Sequence, residues 1–257
     1  AIGSRMNVFE KHGVMTLSPS TINLWIEQPA MCLLKIAGIR DGEAGPAAWR
    51  GTAADRALGQ VATNPEITDG QAVRHALNVY KKEQETAIEP HSDEKIEKER
   101  ADIKRYVESG AKFYRSLPDR PESTQGKVIV NLENVPVPYI GYYDLLYPDA
   151  VRDTKTTGRM VSKLTQAHCR QASIYAWAMG REPWIDYVGK NEVRAFKVEN
   201  VPFWLRQVEL ASQSLERVLS FSDDIIECCQ LVYPDLDHWK WGETTTQAAK
   251  DIWRMES

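Results

Sequence analysis

Three side chains that together could hold a cation and handle a proton lie between positions 144 and 155. Asp144 and Asp153 stand on two strand-like segments, on either side of the turn signal Pro148-Asp149. Carboxylates on adjacent antiparallel strands can converge on one divalent cation, and such oxygen ligands suit Mg²⁺ or Mn²⁺ rather than zinc. Lys155 follows Asp153 by two residues and therefore projects from the same face of the strand. Beside a cation, its proton affinity would be lowered and it could orient an attacking water.

Positive charge is concentrated on the segment that carries Asp153 and Lys155. The whole chain has a net charge of −4, which argues against a protein that coats nucleic acid indiscriminately. Between positions 151 and 170, however, Asp153 is the single acid. The bases of this segment are Arg152, Lys155, Arg159, Lys163 and Arg170. The distribution predicts a local anion site beside the candidate carboxylates.

The elements that must position these residues follow from turn signals and hydrophobic periodicity. Helical patterns cover about 17–120, strand patterns about 127–200, and helical patterns again 201–257. Three antiparallel strands are expected first, then a helix over about 163–179, then one or two further strands. Because a strand–helix–strand crossover joins parallel strands, this order predicts a mixed central sheet flanked by helices. The expected fold class is α/β with an additional helical region, in a single domain over 6–257.

Finer boundaries are also predicted. A serine N-cap and a proline start a helix at Leu17-Ser18-Pro19-Ser20. Further helices are expected over about 52–61 and 201–231, and the pattern is helical throughout 70–117, either as a helical subdomain packed on the core or as an arm that contacts DNA. Residues 1–5 precede Met6 and resemble the remnant of an expression tag.

Composition narrows the class of protein. No apolar run reaches the roughly 18–20 residues needed to span a bilayer, and no secretory leader is visible. The four cysteines lack the CxxC spacing of a zinc site. A reduced, cytoplasmic protein without membrane association is the simplest interpretation.

Three segments follow one another along the chain: Gly141-Tyr142-Tyr143-Asp144, Asp153-Thr154-Lys155-Thr156-Thr157 and Gln171-Ala172-Ser173-Ile174-Tyr175. They place a glycine and an aspartate on one strand, D-x-K with threonines on the next, and Q-x-x-x-Y on the following helix. In this order they resemble the RecB-like exonuclease branch of the PD-(D/E)XK nucleases. Upstream, Ser18-Pro19-Ser20 and Gly51-Thr52-Ala53-Ala54-Asp55 fall where this branch has its S-x-S and G-x-x-x-H motifs. The resemblance covers roughly 17–60 and 127–190, and implies a restriction-endonuclease-like core.

The resemblance also implies roles for individual residues. Asp144, Asp153 and Lys155 would be catalytic, and Mg²⁺ or Mn²⁺ would be bound by Asp55, Asp144, Asp153 and the carbonyl of Thr154. Gln171 and Tyr175 are four apart on one helix face and would hold the DNA strand, although a buried Tyr175 with a satisfied hydroxyl is an alternative. The other expected DNA contacts are Thr156, Thr157, Arg159, Lys163 and Arg170.

Two positions depart from the family pattern. Relatives have a histidine where this chain has Asp55, which could still bind a hard cation or could instead pair with Arg56 on the surface. Relatives with an iron–sulfur cluster have a cysteine where Gln28 precedes Pro29, and the Cys228-Cys229 pair lacks the cluster spacing, so no cluster is expected.

The implied function is a metal-dependent DNA exonuclease acting on linear ends, in recombination or end processing. The chain is small and has no helicase motif, which favours a stand-alone nuclease of phage type. Such a nuclease would act in the host cytoplasm, with a single-strand-annealing or recombination protein as partner. A structure-selective or nicking endonuclease and a catalytically silent DNA-binding module remain alternatives. The intact acids and lysine oppose the silent module, and the altered position 55 favours it. The same residues could also form only a surface ion pair between Asp153 and Lys155.

Overall fold

The computed structural model describes residues 6–42 and 44–255, so the expected tag remnant at 1–5 lies outside the described residues. The chain divides into two compact units. Among the described residues, one unit consists of 6–41, 129–141 and 202–255, and the other of 42, 44–128 and 142–201. The elements in chain order are α1 (Val8–Lys11), α2 (Pro19–Glu27), α3 (Pro29–Ile36), α4 (Pro46–Thr63), α5 (Asp69–Thr86), α6 (Asp93–Ser116), β1 (Ser123–Val130), β2 (Tyr139–Leu146), β3 (Ala150–Thr156), α7 (Gln166–Met179), β4 (Glu182–Val188), β5 (Val193–Lys197), α8 (Val201–Leu219), α9 (Ile225–Cys229) and α10 (Glu243–Trp253).

The strands form one five-stranded mixed sheet in the order β1-β2-β3-β4-β5. β2 and β3 are antiparallel across the tight turn, with Leu145 opposite Arg152. β3 and β4 are parallel, with Asp153 opposite Ile185, because the crossover helix α7 returns the chain to the same end of the sheet. β4 and β5 are antiparallel. The predicted α/β class with a mixed sheet is confirmed.

Helices α4, α5 and α6 pack together in the unit that carries the candidate residues. Small residues make up much of the buried face of α4 behind Trp49, and its neighbours can therefore approach closely. This face includes Ala53, Ala54, Ala57, Leu58, Val61 and Ala62. Close packing continues on α6, where a Cβ at Gly110 would lie 2.6 Å from both methyl carbons of Leu58. The packing of these helices fixes the position of α4 against β3.

Tryptophan side chains donate hydrogen bonds within the other unit. The indole of Trp25 donates to Ser214 Oγ at 2.7 Å, and the indole of Trp241 donates to Gln28 Oε1 at 3.0 Å. Trp253 donates to the carbonyl of Val232 at 2.8 Å. Trp241 and Trp253, near the C-terminus, therefore contribute to the structure of this unit.

Several boundaries differ from the sequence-based expectations. The helical region expected over 70–117 contains two helices, α5 and α6, which are separated at 87–92, where Pro90 cannot continue a helix. The helix expected over 201–231 ends at Leu219, and Asp224 caps a new helix by accepting from the amide of Ile226 at 2.9 Å. The helix expected over 52–61 begins earlier, at Pro46. No described helix is long and apolar enough to cross a membrane.

Candidate active site

Asp144, Asp153 and Lys155 meet where β2 and β3 pair. The backbone amide of Thr154 donates to Asp144 Oδ2 at 2.7 Å, which ties the first carboxylate to the second strand. Asp153 is 2% exposed, and Lys155 Nζ lies 2.5 Å from its Oδ2. Strand alternation accounts for this geometry, because residues 153 and 155 share one face.

Asp55 reaches the same place from helix α4. Gly51 lies one turn earlier and faces β3, where a Cβ would be 3.4 Å from Thr156 Oγ1. Asp55 lines the same cavity as Asp144 and Lys155. Burial, followed by the charge of Asp153, raises the pKa of Asp55 to about 7. The structure therefore brings Asp55 to the other acids, rather than leaving it as a surface partner of Arg56.

Gln125 joins two of the acids, and the sequence analysis missed it. Its side-chain Nε2 donates to Asp55 Oδ2 at 2.5 Å and lies 3.4 Å from Asp144 Oδ1. It stands on β1 with a φ of 54°, in the left-handed region that few residues other than glycine adopt. No motif marks this position, since its role depends on how β1 is placed beside α4.

The electrostatics of the site are dominated by excess negative charge. Burial and the charges of Asp153 and Asp55 hold the pKa of Asp144 well above its ordinary range. Burial lowers the pKa of Lys155, but Asp153 and Asp144 outweigh that effect and raise it above its ordinary value. The lowered proton affinity expected for Lys155 concerns a cation-bound site and stays a prediction. When all three acids are ionised, a single lysine leaves the site with a net negative charge that a divalent cation would offset.

Each carboxylate is turned toward a donor of its own. Asp55 faces Gln125, Asp144 faces the amide of Thr154, and Asp153 faces Lys155. Within 6–42 and 44–255, no three His, Cys, Asp or Glu side chains are arranged as a ready-made metal site. The donor set of three carboxylates still has the hard oxygen chemistry that Mg²⁺ and Mn²⁺ prefer.

Helix α7 presents one face to these acids. Gln171 Nε2 donates to Asp153 Oδ1 at 3.3 Å and to Tyr175 Oη at 3.2 Å. Tyr175 is only 4% exposed, so the pair is seen holding Asp153 in place, and its expected contact with DNA stays a prediction. His168 stands one turn before Gln171 and lines the cavity, with Nδ1 2.6 Å from Tyr187 Oη.

His168 was also missed in the sequence. Burial, followed by the charge of Lys155, lowers its pKa to about 4, so the imidazole is neutral at pH 7. The signal that could have found it is the helical spacing 168, 171 and 175 on one face of α7.

The cavity has a volume of about 740 Å³ and opens beside Asp55 and Lys155. Thr156 and Thr157 line it, together with Arg50, which forms an ion pair with Glu99. Arg159 and Lys163 are exposed, as a nucleic-acid contact requires.

Two of the expected basic residues are buried. Arg170 is 4% exposed and Arg152 is 9% exposed. The expectation that Arg170 contacts DNA is therefore corrected, because its guanidinium lies in the interior. The basic surface is smaller than the sequence suggested.

A buried polar network supports the back of β3. Tyr114 Oη lies 2.8 Å from Thr154 Oγ1 and donates to Asp186 Oδ2 at 3.1 Å. Arg152 donates to Asp186 Oδ1 at 2.6 Å, and its guanidinium lies 4.7 Å from the centre of the Trp184 ring. Burial raises the pKa of Asp186 to about 6, although Arg152 opposes the shift. The network fixes Thr154, whose amide holds Asp144.

No family model and no curated protein matches this chain. Among solved structures, SSO0001, known from a crystal structure, is similar over 61% of this chain and 74% of its own. The TM-score is 0.33 and the identity is 11%. A likeness this weak carries no argument about function.

Proposed function

We propose that this chain is a divalent-metal-dependent DNA nuclease with a PD-(D/E)XK core, acting as an exonuclease of the RecB-like type. The observation that carries the proposal is that Asp55, Asp144 and Lys155 line one cavity, with Asp153 buried in contact with Lys155, although these residues come from a helix and two strands. A surface ion pair would not require a carboxylate from α4 or an acid that is 2% exposed. The preference for ends rests on the resemblance to the RecB-like branch.

The chemistry of phosphodiester hydrolysis assigns a task to each residue. A divalent cation supplies charge stabilisation at the scissile phosphate and hydroxide near neutral pH. Asp55, Asp144, Asp153 and the carbonyl of Thr154 would hold it. Lys155 keeps a protonated donor beside Asp153, where it can orient the attacking water or the phosphate. Gln171 holds the second oxygen of Asp153 and so fixes the carboxylate for that task.

The rim of the cavity suits a nucleic-acid strand. Arg159 and Lys163 supply exposed positive charge, while the hydroxyls of Thr156 and Thr157 can donate to phosphate oxygens. The hydroxyl of Thr157 donates to the carbonyl of Arg159 at 2.6 Å and so shapes the loop that carries the arginine.

The test is incubation of the protein with end-labelled linear DNA and covalently closed circular DNA. The expected result is loss of the linear DNA with Mg²⁺ or Mn²⁺, none with EDTA, and circles largely spared. Rapid cutting of closed circles would replace the exonuclease with an endonuclease on the same core. No cleavage of either DNA with either metal would overturn the nuclease proposal.

A further inference from the structure

Gln125 is held in place by the strand that carries it. Its neighbour Gly126 lies against the ring of Tyr143, where an added Cβ would be 2.0 Å from the tyrosine oxygen. That hydroxyl lies 2.8 Å from Ser123 Oγ on the same strand. The backbone around position 125 is therefore fixed, and its left-handed φ of 54° aims the side chain at Asp55 and Asp144.

We propose that Gln125 is a displaceable occupant of the cation position. Its amide N–H groups hold Asp55 Oδ2 and Asp144 Oδ1 until a divalent cation takes the same two oxygens. The proposal rests on the metal-dependent function proposed above, and adds to it a residue that competes with the cation.

The chemistry of the amide fits this role. A carboxamide can donate two hydrogen bonds, so one amide group can bridge two carboxylate oxygens as a cation would. Unlike a cation, it carries no net charge. It therefore satisfies the two acids without removing the excess negative charge of the site. A divalent cation offers the missing charge, so the exchange of amide for cation is favourable.

The surroundings of Gln125 leave it room to move. The residue is exposed, although its amide end contacts the acids. On its other side lies a second cavity of about 550 Å³, lined by Gln60, Asn64 and His75 among others. Gln125 itself lines this cavity, so open space adjoins its side chain.

A Gln125 that bound the cation as a ligand would have the opposite effect on cation binding when it is removed. If the amide rotated to present its carbonyl oxygen, Gln125 would be a ligand, and its removal would weaken cation binding. If the amide only competes, its removal strengthens binding, because the carboxylates then gain more when the cation arrives.

The experiment is titration of Mn²⁺ into the full chain, followed by calorimetry. The variants are Gln125→Met, which keeps the length of the side chain, and Gln125→Ala. Both should bind Mn²⁺ more tightly than the wild type, by about tenfold, since each lacks a hydrogen bond to a charged acceptor. Both should also melt at a lower temperature in EDTA. Gln60→Ala, which borders the second cavity without contacting the acids, is the matched control and should change neither.

The outcomes separate this proposal from the proposed function. Weaker or unchanged Mn²⁺ binding in both Gln125 variants would overturn the displacement, while the metal site stands if Asp144→Asn abolishes binding. If the wild type bound no Mn²⁺, or Asp144→Asn bound it equally well, the metal site itself would fail and the role of Gln125 with it.

Discussion

Asp153 is the side chain on which the other charged residues of the site depend. It is buried, it contacts Lys155 and Gln171, and its charge raises the pKa values of both Asp55 and Asp144. A buried carboxylate of this kind is costly unless it is paired. Here Lys155 and Gln171 are the partners that offset this cost.

Asp144→Asn and Asp153→Asn should each lower the rate of DNA cleavage by about a hundredfold or more, because each removes a negative ligand from the proposed cation. The measurement is single-turnover cleavage of linear DNA, with circular dichroism to check folding. Asp149→Asn is the control, since Asp149 lies exposed in the turn between the same strands. Full activity in either site variant would remove that residue from the site.

The acids also predict how stability depends on pH. The pKa of Asp55 is about 7 in the folded protein, against an ordinary value of 3.8, so the folded state binds more protons between those pH values. Stability must therefore fall as pH rises through this window. In EDTA, the melting temperature of the wild type should drop relative to that of Asp55→Asn between pH 4 and pH 8. Parallel curves for the two proteins would contradict the raised pKa.

At the scale of elements, β3 serves two functions through its alternation. Asp153 and Lys155 face the site, while Arg152 and Thr154 face a buried network with Tyr114 and Asp186. The aspartate and lysine of the D-x-K pattern therefore lie on the face of β3 that points to the site, and the alternate residues lie on the face that packs against the network. A substitution in this network should therefore shift Asp144, because the amide of Thr154 holds its carboxylate.

Tyr114→Phe should lower the free energy of unfolding by about 1–3 kcal/mol, because Asp186 Oδ2 and Thr154 Oγ1 both lose a buried partner. The measurement is urea denaturation. Tyr147→Phe is the matched control, since the hydroxyl of Tyr147 is buried without a hydrogen-bond partner among the residues described. Equal losses in the two variants would mean that the network contributes nothing beyond packing.

Sequence reasoning succeeded where a role is set by local spacing. The alternation of β3 and the turn before it were enough to pair Asp144 with Asp153, and the crossover helix was enough to predict the mixed sheet. Gln125 could not be found, because its role depends on a left-handed backbone angle and on its approach to α4. Arg170 was misjudged for a similar reason: a basic residue on a helix carries no local sign of which face is buried.

At the scale of the whole molecule, the proposed nuclease activity would require this chain to attract a polyanion despite a net charge of −4. With Arg152 and Arg170 buried, the exposed bases near the cavity are few. Binding that depends on few phosphate contacts should be weak and only moderately sensitive to salt.

Arg159→Ala combined with Lys163→Ala should weaken DNA binding and reduce the slope of log K against log salt by about two, roughly one for each lost contact. The measurement is fluorescence anisotropy with labelled DNA in Ca²⁺ over a series of salt concentrations. Lys82→Ala, an exposed lysine on α5, should leave the slope unchanged. An unchanged slope in the double variant would place the DNA elsewhere.

All four cysteines are free and buried, and they are shared between the two compact units. Cys169 belongs to the unit with the acids, and Cys32, Cys228 and Cys229 belong to the other. Burial raises the pKa of Cys32 to about 12 and also raises that of Cys169, so neither thiol reacts readily in the closed state. Alkylation must then wait for local opening. The rate at which Cys169 is alkylated therefore reports the local opening of one unit, and the rate at which Cys32 is alkylated reports that of the other.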